Sequence, residues 1–269
     1  MAIPLEDSFS DIVGKAMRGL KLTDAHAAEL AGVAPDAINR LRDGEWNEAV
    51  ARKVAPVLGL KAAALADLGN RAWLPDPVGI EGLAQFNTVF EDMTVNAYLV
   101  WDPASKQAVA FDTGTDIGGQ LDLIAAKSLR LSLILLTHTH GDHVFDLDRL
   151  KEKTGAPAFV SRREPLDGAE PFDAGRKFSA GGLEIETRLT WGHSKGGITF
   201  VVSGLSRPVA IVGDAMFAGS MGGGGVSYPD ALHTNREEIL TLPDETILCP
   251  GHGPLTTVGE QKTHNPFFP

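Results

Sequence analysis

The chain has 269 residues, 43% hydrophobic and 22% charged, which excludes a disordered or fibrous protein. Its formal net charge of −11 argues against binding nucleic acid through a general excess of Lys and Arg. A single cysteine, Cys249, excludes an internal disulfide and a cysteine-only metal site, so any metal site must be built from His and carboxylates.

Residues 1–72 carry 16 alanines and almost no strand-like runs. Apolar residues recur at helical spacing: Ile12, Ala16 and Leu20, then Ala27, Leu30 and Ala31, then Ile38 and Leu41. Thr23 suits a helix start and Gly32 a helix end; Pro35 restarts a helix that Gly44 stops. A fourth helix is expected over Asn47–Leu58 with a kink or break near Pro56, and a fifth over Lys61–Leu68. The two prolines and the glycine within Trp73–Gly79 place a linker at 73–79. From about Ile80 the periodicity changes to that of strands: Ala84–Phe90, Thr94–Trp101 and Ala108–Phe111. A helix over Leu121–Leu129 leads to a buried strand, Leu131–Leu136, and a helix over Val144–Lys153. Leu183–Leu189, Ile198–Val202, Val209–Val212 and Thr246–Cys249 read as further strands, with a short helix over Arg236–Leu240. Apolar runs such as Leu133–Leu136 fall far short of the ~20 residues that span a bilayer. No basic start with an apolar core opens the chain, so a cytoplasmic location is expected.

The densest chemical signal follows the Leu131–Leu136 strand: Thr137-His138-Thr139-His140-Gly141-Asp142-His143. Neutral imidazole and carboxylate are ligands for zinc, iron and manganese at neutral pH. Alternate residues of an extended segment share a face, so His138 and His140 can grip one ion, with Asp142 and His143 turned toward a second. Three later strand ends offer one ligand each, beside a glycine: His193 in Gly192-His193-Ser194, Asp214 in Gly213-Asp214, and His252 in Pro250-Gly251-His252-Gly253-Pro254.

Together these blocks resemble the metallo-β-lactamase superfamily, and within it the glyoxalase II-like hydrolases. The resemblance rests on His-x-His-x-Asp-His, the Gly-His-Ser, the Gly-Asp followed by Phe217-Ala218-Gly219-Ser220, and the final Pro-Gly-His-Gly-Pro. Asn96, Asp112-Thr113-Gly114 and the tail Thr256–Phe267 fit the same pattern, which covers roughly residues 80–269. It implies an α+β fold, an αββα sandwich of two mixed sheets flanked by helices, preceded by a small all-α segment. It also implies His138, His140 and His193 on a first metal and Asp142, His143 and His252 on a second, with Asp214 bridging. Two divalent ions, zinc first and iron or manganese as substitutes, would share a hydroxide oriented by Asp142 and attack a small-molecule thioester. A thiolate leaves without protonation. Asp112 either orients a ligand imidazole or caps a turn. Phe217, Met221 and Tyr228 would be the apolar contacts of an active-site rim formed by the glycine run between Gly219 and Gly225, in which Gly223-Gly224-Gly225 stand where an arginine is usual. Lys195 reads as solvated and Cys249 as structural. Alternatives on the same residues are a persulfide dioxygenase-like enzyme using one iron on His138, His193 and Asp214, and a lactone hydrolase.

Leu22–Glu45 resembles the helix-turn-helix of phage-repressor-type regulators, through Leu22-Thr23, Ala28–Val33, Ile38, Arg40-Leu41 and Gly44-Glu45. That resemblance implies Pro35–Arg42 as recognition helix, with Asn39, Arg40 and Arg42 toward DNA, and a ligand-sensing regulator as a further alternative. Residues 1–72 hold 9 Lys and Arg against 10 Asp and Glu, so the helices are expected to cap the hydrolase or to form a homodimer, and not to bind DNA.

Overall fold

The computed structural model describes residues 3–269. Five short helices come first: α1 (Phe9–Leu20), α2 (Asp24–Ala31), α3 (Pro35–Arg42), α4 (Glu48–Val57) and α5 (Ala62–Gly69). Local chemistry sets their ends. Ser8 and Asp11 form a capping box at α1, and the Thr23 and Asn47 side chains accept backbone N–H bonds at the starts of α2 and α4. Gly32 closes α2 in the left-handed conformation. Pro56 lies in the last turn of α4, which runs on through Val57 without the expected break.

After an irregular stretch come β1 (Leu83–Phe90), β2 (Met93–Trp101), β3 (Gln107–Phe111), α6 (Gly118–Lys127), β4 (Arg130–Leu135), α7 (Gly141–Val144), α8 (Leu147–Thr154), β5 (Ala158–Ser161) and β6 (Glu170–Phe172). These six strands form one mixed sheet in sequence order, antiparallel across β1–β3 and parallel from β3 to β6. The rest of the chain gives β7 (Lys177–Ala180), β8 (Leu183–Leu189), β9 (Ile198–Ser203), β10 (Val209–Gly213), α9 (Tyr228–Thr234), a π-helical turn over Asn235–Ile239, β11 (Ile247–Pro250), β12 (Thr256–Thr257) and α10 (Val258–His264). Its six strands form the second mixed sheet, ordered β12-β11-β10-β9-β8-β7, with only the β10–β11 pair parallel.

Strand alternation sorts the side chains into layers. Tyr98, Val100 and Phe111 of the first sheet meet Phe200, Ile211 and Cys249 of the second in the core between the sheets. Leu99 and Trp101 point the other way, toward the α6 and α8 side. Ala210, Val212 and Leu248 form the outer face of the second sheet. They share one apolar cluster with Ile12, Met17, Leu41, Val54 and Leu65 of the first five helices. The resulting αββα sandwich, with α1–α5 ahead of the sheets in sequence, matches the expected fold.

The periodic reading missed β5, β6, β7, β12, α9 and α10. Each strand among them has four residues or fewer, too short for a period of two to register. The expected Val144–Lys153 helix is two pieces, α7 and α8, separated by Phe145 and Asp146. No helix of the described residues is long and apolar enough to cross a membrane.

Candidate metal centre

Four strand ends converge at one edge of the sandwich. The segment after β4 carries His138 and His140 and leads into α7, which holds Asp142 and His143; the turns after β8, β10 and β11 carry His193, Asp214 and His252. The donor atoms of His138, His140, His193 and Asp214 lie within 4.8 Å of one another, and those of Asp142, His143 and His252 form a second such group. Within the first, His140 Nδ1 stands 3.0 Å from His138 Nε2 and 3.1 Å from His193 Nε2. In the second, Asp142 Oδ2 stands 3.6 Å from His143 Nε2 and 3.4 Å from His252 Nε2. Asp214 lies between: its Oδ2 is 3.2 Å from His193 Nε2 and 3.4 Å from His252 Nε2, and its Oδ1 is 3.2 Å from His143 Nε2.

Four of the remaining ring nitrogens are engaged outside the cluster. His143 Nδ1 lies 2.8 Å from Asp112 Oδ2, His252 Nδ1 2.6 Å from the Thr94 carbonyl, and His193 Nδ1 3.0 Å from the Gly223 carbonyl. The Thr137 hydroxyl donates to Asp112, which leaves its oxygen free to accept from His138 Nδ1 at 3.0 Å. Acceptors at these positions select the tautomers whose other nitrogen faces the cluster with a lone pair. Asp112 therefore orients an imidazole, and it also accepts from the Thr137 backbone N–H. The His252 turn is clamped from β2, where the Asn96 side chain donates to the Pro250 and Gly253 carbonyls and the Tyr98 hydroxyl donates to Pro250. Glu164 ties two ligand loops together by accepting from the Thr139 hydroxyl and the Gly196 N–H.

The electrostatics are those of a closely packed donor set. Burial opposes charge on His143, but Asp214 and Asp112 outweigh it and raise its pKa well above the usual imidazole value. Burial, then the neighbouring His143 charge, drives His138 well below that value. Burial works against the Asp214 carboxylate, and His143 and His252 more than offset it, holding the group well below the carboxylate range. His143 Nε2 and Asp214 Oδ1 are buried and lack a hydrogen-bond partner. Buried polar atoms without partners are costly, and a cation would satisfy both. The donors present, five imidazoles and two carboxylates, fit divalent zinc, iron or manganese. A Cβ at Gly251 would overlap Asp214 Oδ1, and one at Gly222 the Asp214 carbonyl, so glycine is required beside the cluster at both positions.

Of the other residues singled out in the sequence, Tyr228 lines a cleft of about 840 Å³ that opens over His140 and His193. Phe217 and Met221 are buried and do not line it, contrary to expectation; Phe217 stands edge-on to His252 at 5.5 Å. Lys195 is exposed and outside the cleft. Cys249 is buried between the sheets, and that burial pushes its thiol pKa well up. Asn39, Arg40 and Arg42 are exposed, with Arg40 paired to Asp36 and Arg42 to Asp24. The sequence reading missed α1: Lys15, Arg18, Gly19 and Lys21 line the cleft opposite the histidines. No local pattern marks them, because they meet the site only through packing.

The chain is 33% identical over 201 residues to a probable metallo-hydrolase of Streptococcus pyogenes, spanning 64% of this chain and 84% of that one. It is 29% identical to the hydroxyacylglutathione hydrolase GloC of Haemophilus influenzae, over 64% of this chain and 92% of that one. Among solved structures, TTHA1623 in a di-iron-bound form superposes with a TM-score of 0.56 at 27% identity, over 68% of this chain and 99% of that one. The family model of the metallo-beta-lactamase superfamily matches residues 91–252, more than half of the sequence and all seven clustered side chains, and the chain belongs to that superfamily.

Proposed function

We propose that this chain is a two-metal hydrolase of small-molecule thioesters or related esters. The observation that carries the reading is the position of Asp214, within 3.4 Å of donor nitrogens from both groups. His138, His140 and His193 would hold one ion and Asp142, His143 and His252 the other, with the Asp214 carboxylate shared between them. The pair would supply a hydroxide at neutral pH and polarise the scissile carbonyl. The di-iron-bound relative supports two ions, and GloC supports a thioester, since a hydroxyacylglutathione is one.

The protein's own groups do the rest. Asp142 places a carboxylate oxygen between His143 and His252, where it can orient the attacking hydroxide. Burial of His138, His143 and Asp214 keeps bulk water from competing for the site. The exposed His140 and the half-buried His193 form the face that a substrate carbonyl meets from the cleft. Cys249 is sealed between the sheets and takes no part.

Thioester turnover and metal content measured on the same preparations test the reading. Asp214→Ala is expected to abolish turnover and to lose most of the bound metal, because two cations would then repel with less negative charge between them. Cys249→Ser is expected to retain activity within about threefold, while burying a hydroxyl in place of a thiol costs ~1–2 kcal/mol of stability. Full activity in Asp214→Ala would defeat the two-metal reading, and a wild type that carries one iron and consumes oxygen with a persulfide would replace it.

A further inference from the structure

The cleft above His140 and His193 has two unlike walls. On one side stand the imidazoles; on the other, Lys15 and Arg18 from the last turns of α1 and Lys21, the residue that caps it, with the glycines 223–225 also lining the cleft. Three cations thus line one cleft in a chain of net charge −11. Their situations differ. Lys15 is already engaged, with the Asp7 carboxylate and, at 2.9 Å, the Met221 carbonyl. Arg18 and Lys21 are exposed and form no ion pair among the described residues, whereas Arg40, Arg42 and Arg52 of α3 and α4 each have a carboxylate partner.

The wall is built into the fold. Lys15 ties α1 to the loop after β10, and Asp7 accepts from the Ser220 hydroxyl of the same loop. Gly19 lets α1 approach α9 so closely that a Cβ there would overlap the Tyr228 ring. The chain before α1 runs beside the His252 turn, where a Cβ at Gly253 would stand 3.2 Å from Glu6 N. The cleft is open at Gly223, where a Cβ would meet nothing within 4 Å. An ester held at the histidines would thus extend across the glycines and end on Arg18 and Lys21.

We propose that α1 is the anion-binding wall of this cleft, and that Arg18 and Lys21 take a carboxylate or phosphate at the end of the substrate remote from the ester. The proposal rests on the hydrolase reading for the ester, and on the cleft alone for the anion. Helix α1 lies outside residues 91–252, the span matched by the family model, so this wall belongs to the chain's own extension. Lys15 is a positioning residue, since its charge is spent on Asp7 and Met221.

Three thioesters of one acetyl group test it: those of glutathione (carboxylates), coenzyme A (phosphates) and the uncharged N-acetylcysteamine. The expected result is a lower KM for at least one anionic probe than for the neutral one. Arg18→Ala with Lys21→Ala should raise that KM about tenfold, with kcat nearly unchanged and the neutral probe unaffected. Arg18→Glu should raise it further. Added salt should raise KM for the anionic probe alone, as Debye screening requires. The probe that responds identifies carboxylate or phosphate as the ligand. In parallel, calorimetry on metal-free protein with glutathione and coenzyme A reads anion binding without turnover. If wild type hydrolyses none of the three but binds one thiol, and the double variant does not, the thioester reading falls and the wall stands. Equal KM changes on charged and neutral probes, or no KM change and no thiol binding, overturn the wall. Both side chains are exposed, so unchanged unfolding midpoints are expected for the variants.

Discussion

Asp112 shows how much of the cluster's order is imposed from outside it. One carboxylate oxygen faces His143 Nδ1 and the Thr137 hydroxyl, and the other accepts from the Thr137 N–H. The residue holds a left-handed backbone angle, φ 56°, which costs a non-glycine residue about 1 kcal/mol. That cost is sustained where the carboxylate fixes both the tautomer of His143 and the turn leading to His138. Asp112→Asn should keep the shape but lose the charge and one acceptor. A drop in metal affinity of about 10–100-fold is expected, read by chelator competition, with little change in the far-ultraviolet circular dichroism spectrum. The seven clustered residues were legible in the sequence because each stands next to a glycine or in a dense motif directly after an apolar strand. The role of Asp112 was left open there, since a turn cap and an imidazole partner look alike without the 2.8 Å contact to His143.

Among the elements, the long strands were readable and the short ones were not. β8, with seven residues, alternates long enough to reveal a period of two, and β2, with nine, stands out as a long run buried on both faces; β6, with three, does neither. The helices α1 and α2 carry explicit end signals, Ser8 with Asp11 and Thr23 with Gly32, whereas α9 begins after Ser227 with no side-chain cap. The contact between α1 and α9 belongs to this scale. Gly19→Ala gains helix propensity worth at most ~1 kcal/mol, but its Cβ overlaps the Tyr228 ring, and overpacking costs ~1–3 kcal/mol. The clash should win. Urea unfolding is expected to show a net loss of about 1 kcal/mol. A variant more stable than wild type would mean that α1 does not press on Tyr228.

For the whole molecule, the outer face of the second sheet decides how the helical extension behaves. Ala210, Val212 and Leu248 on that face share their apolar cluster with Ile12, Leu41, Val54 and Leu65. Removing residues 1–72 would open this cluster to water, and exposed apolar patches of several hundred Å² drive aggregation. Such a truncation is expected to be insoluble, or soluble only with strong binding of a hydrophobic dye; a monomeric, dye-silent product would mean that the sheet face does not need its cover. Strand alternation, helix caps and the donor set after four strands follow from neighbours within a few residues, so they could be read along the chain. The meeting of Asp142 with His252, of Asp7 with Ser220, and of α1 with the cleft joins segments more than a hundred residues apart. The first arises because the two sheets bury their inner faces against each other, and the other two because the second sheet must bury its outer face and the five helices have apolar faces to give it, long-range matches that no local pattern encodes.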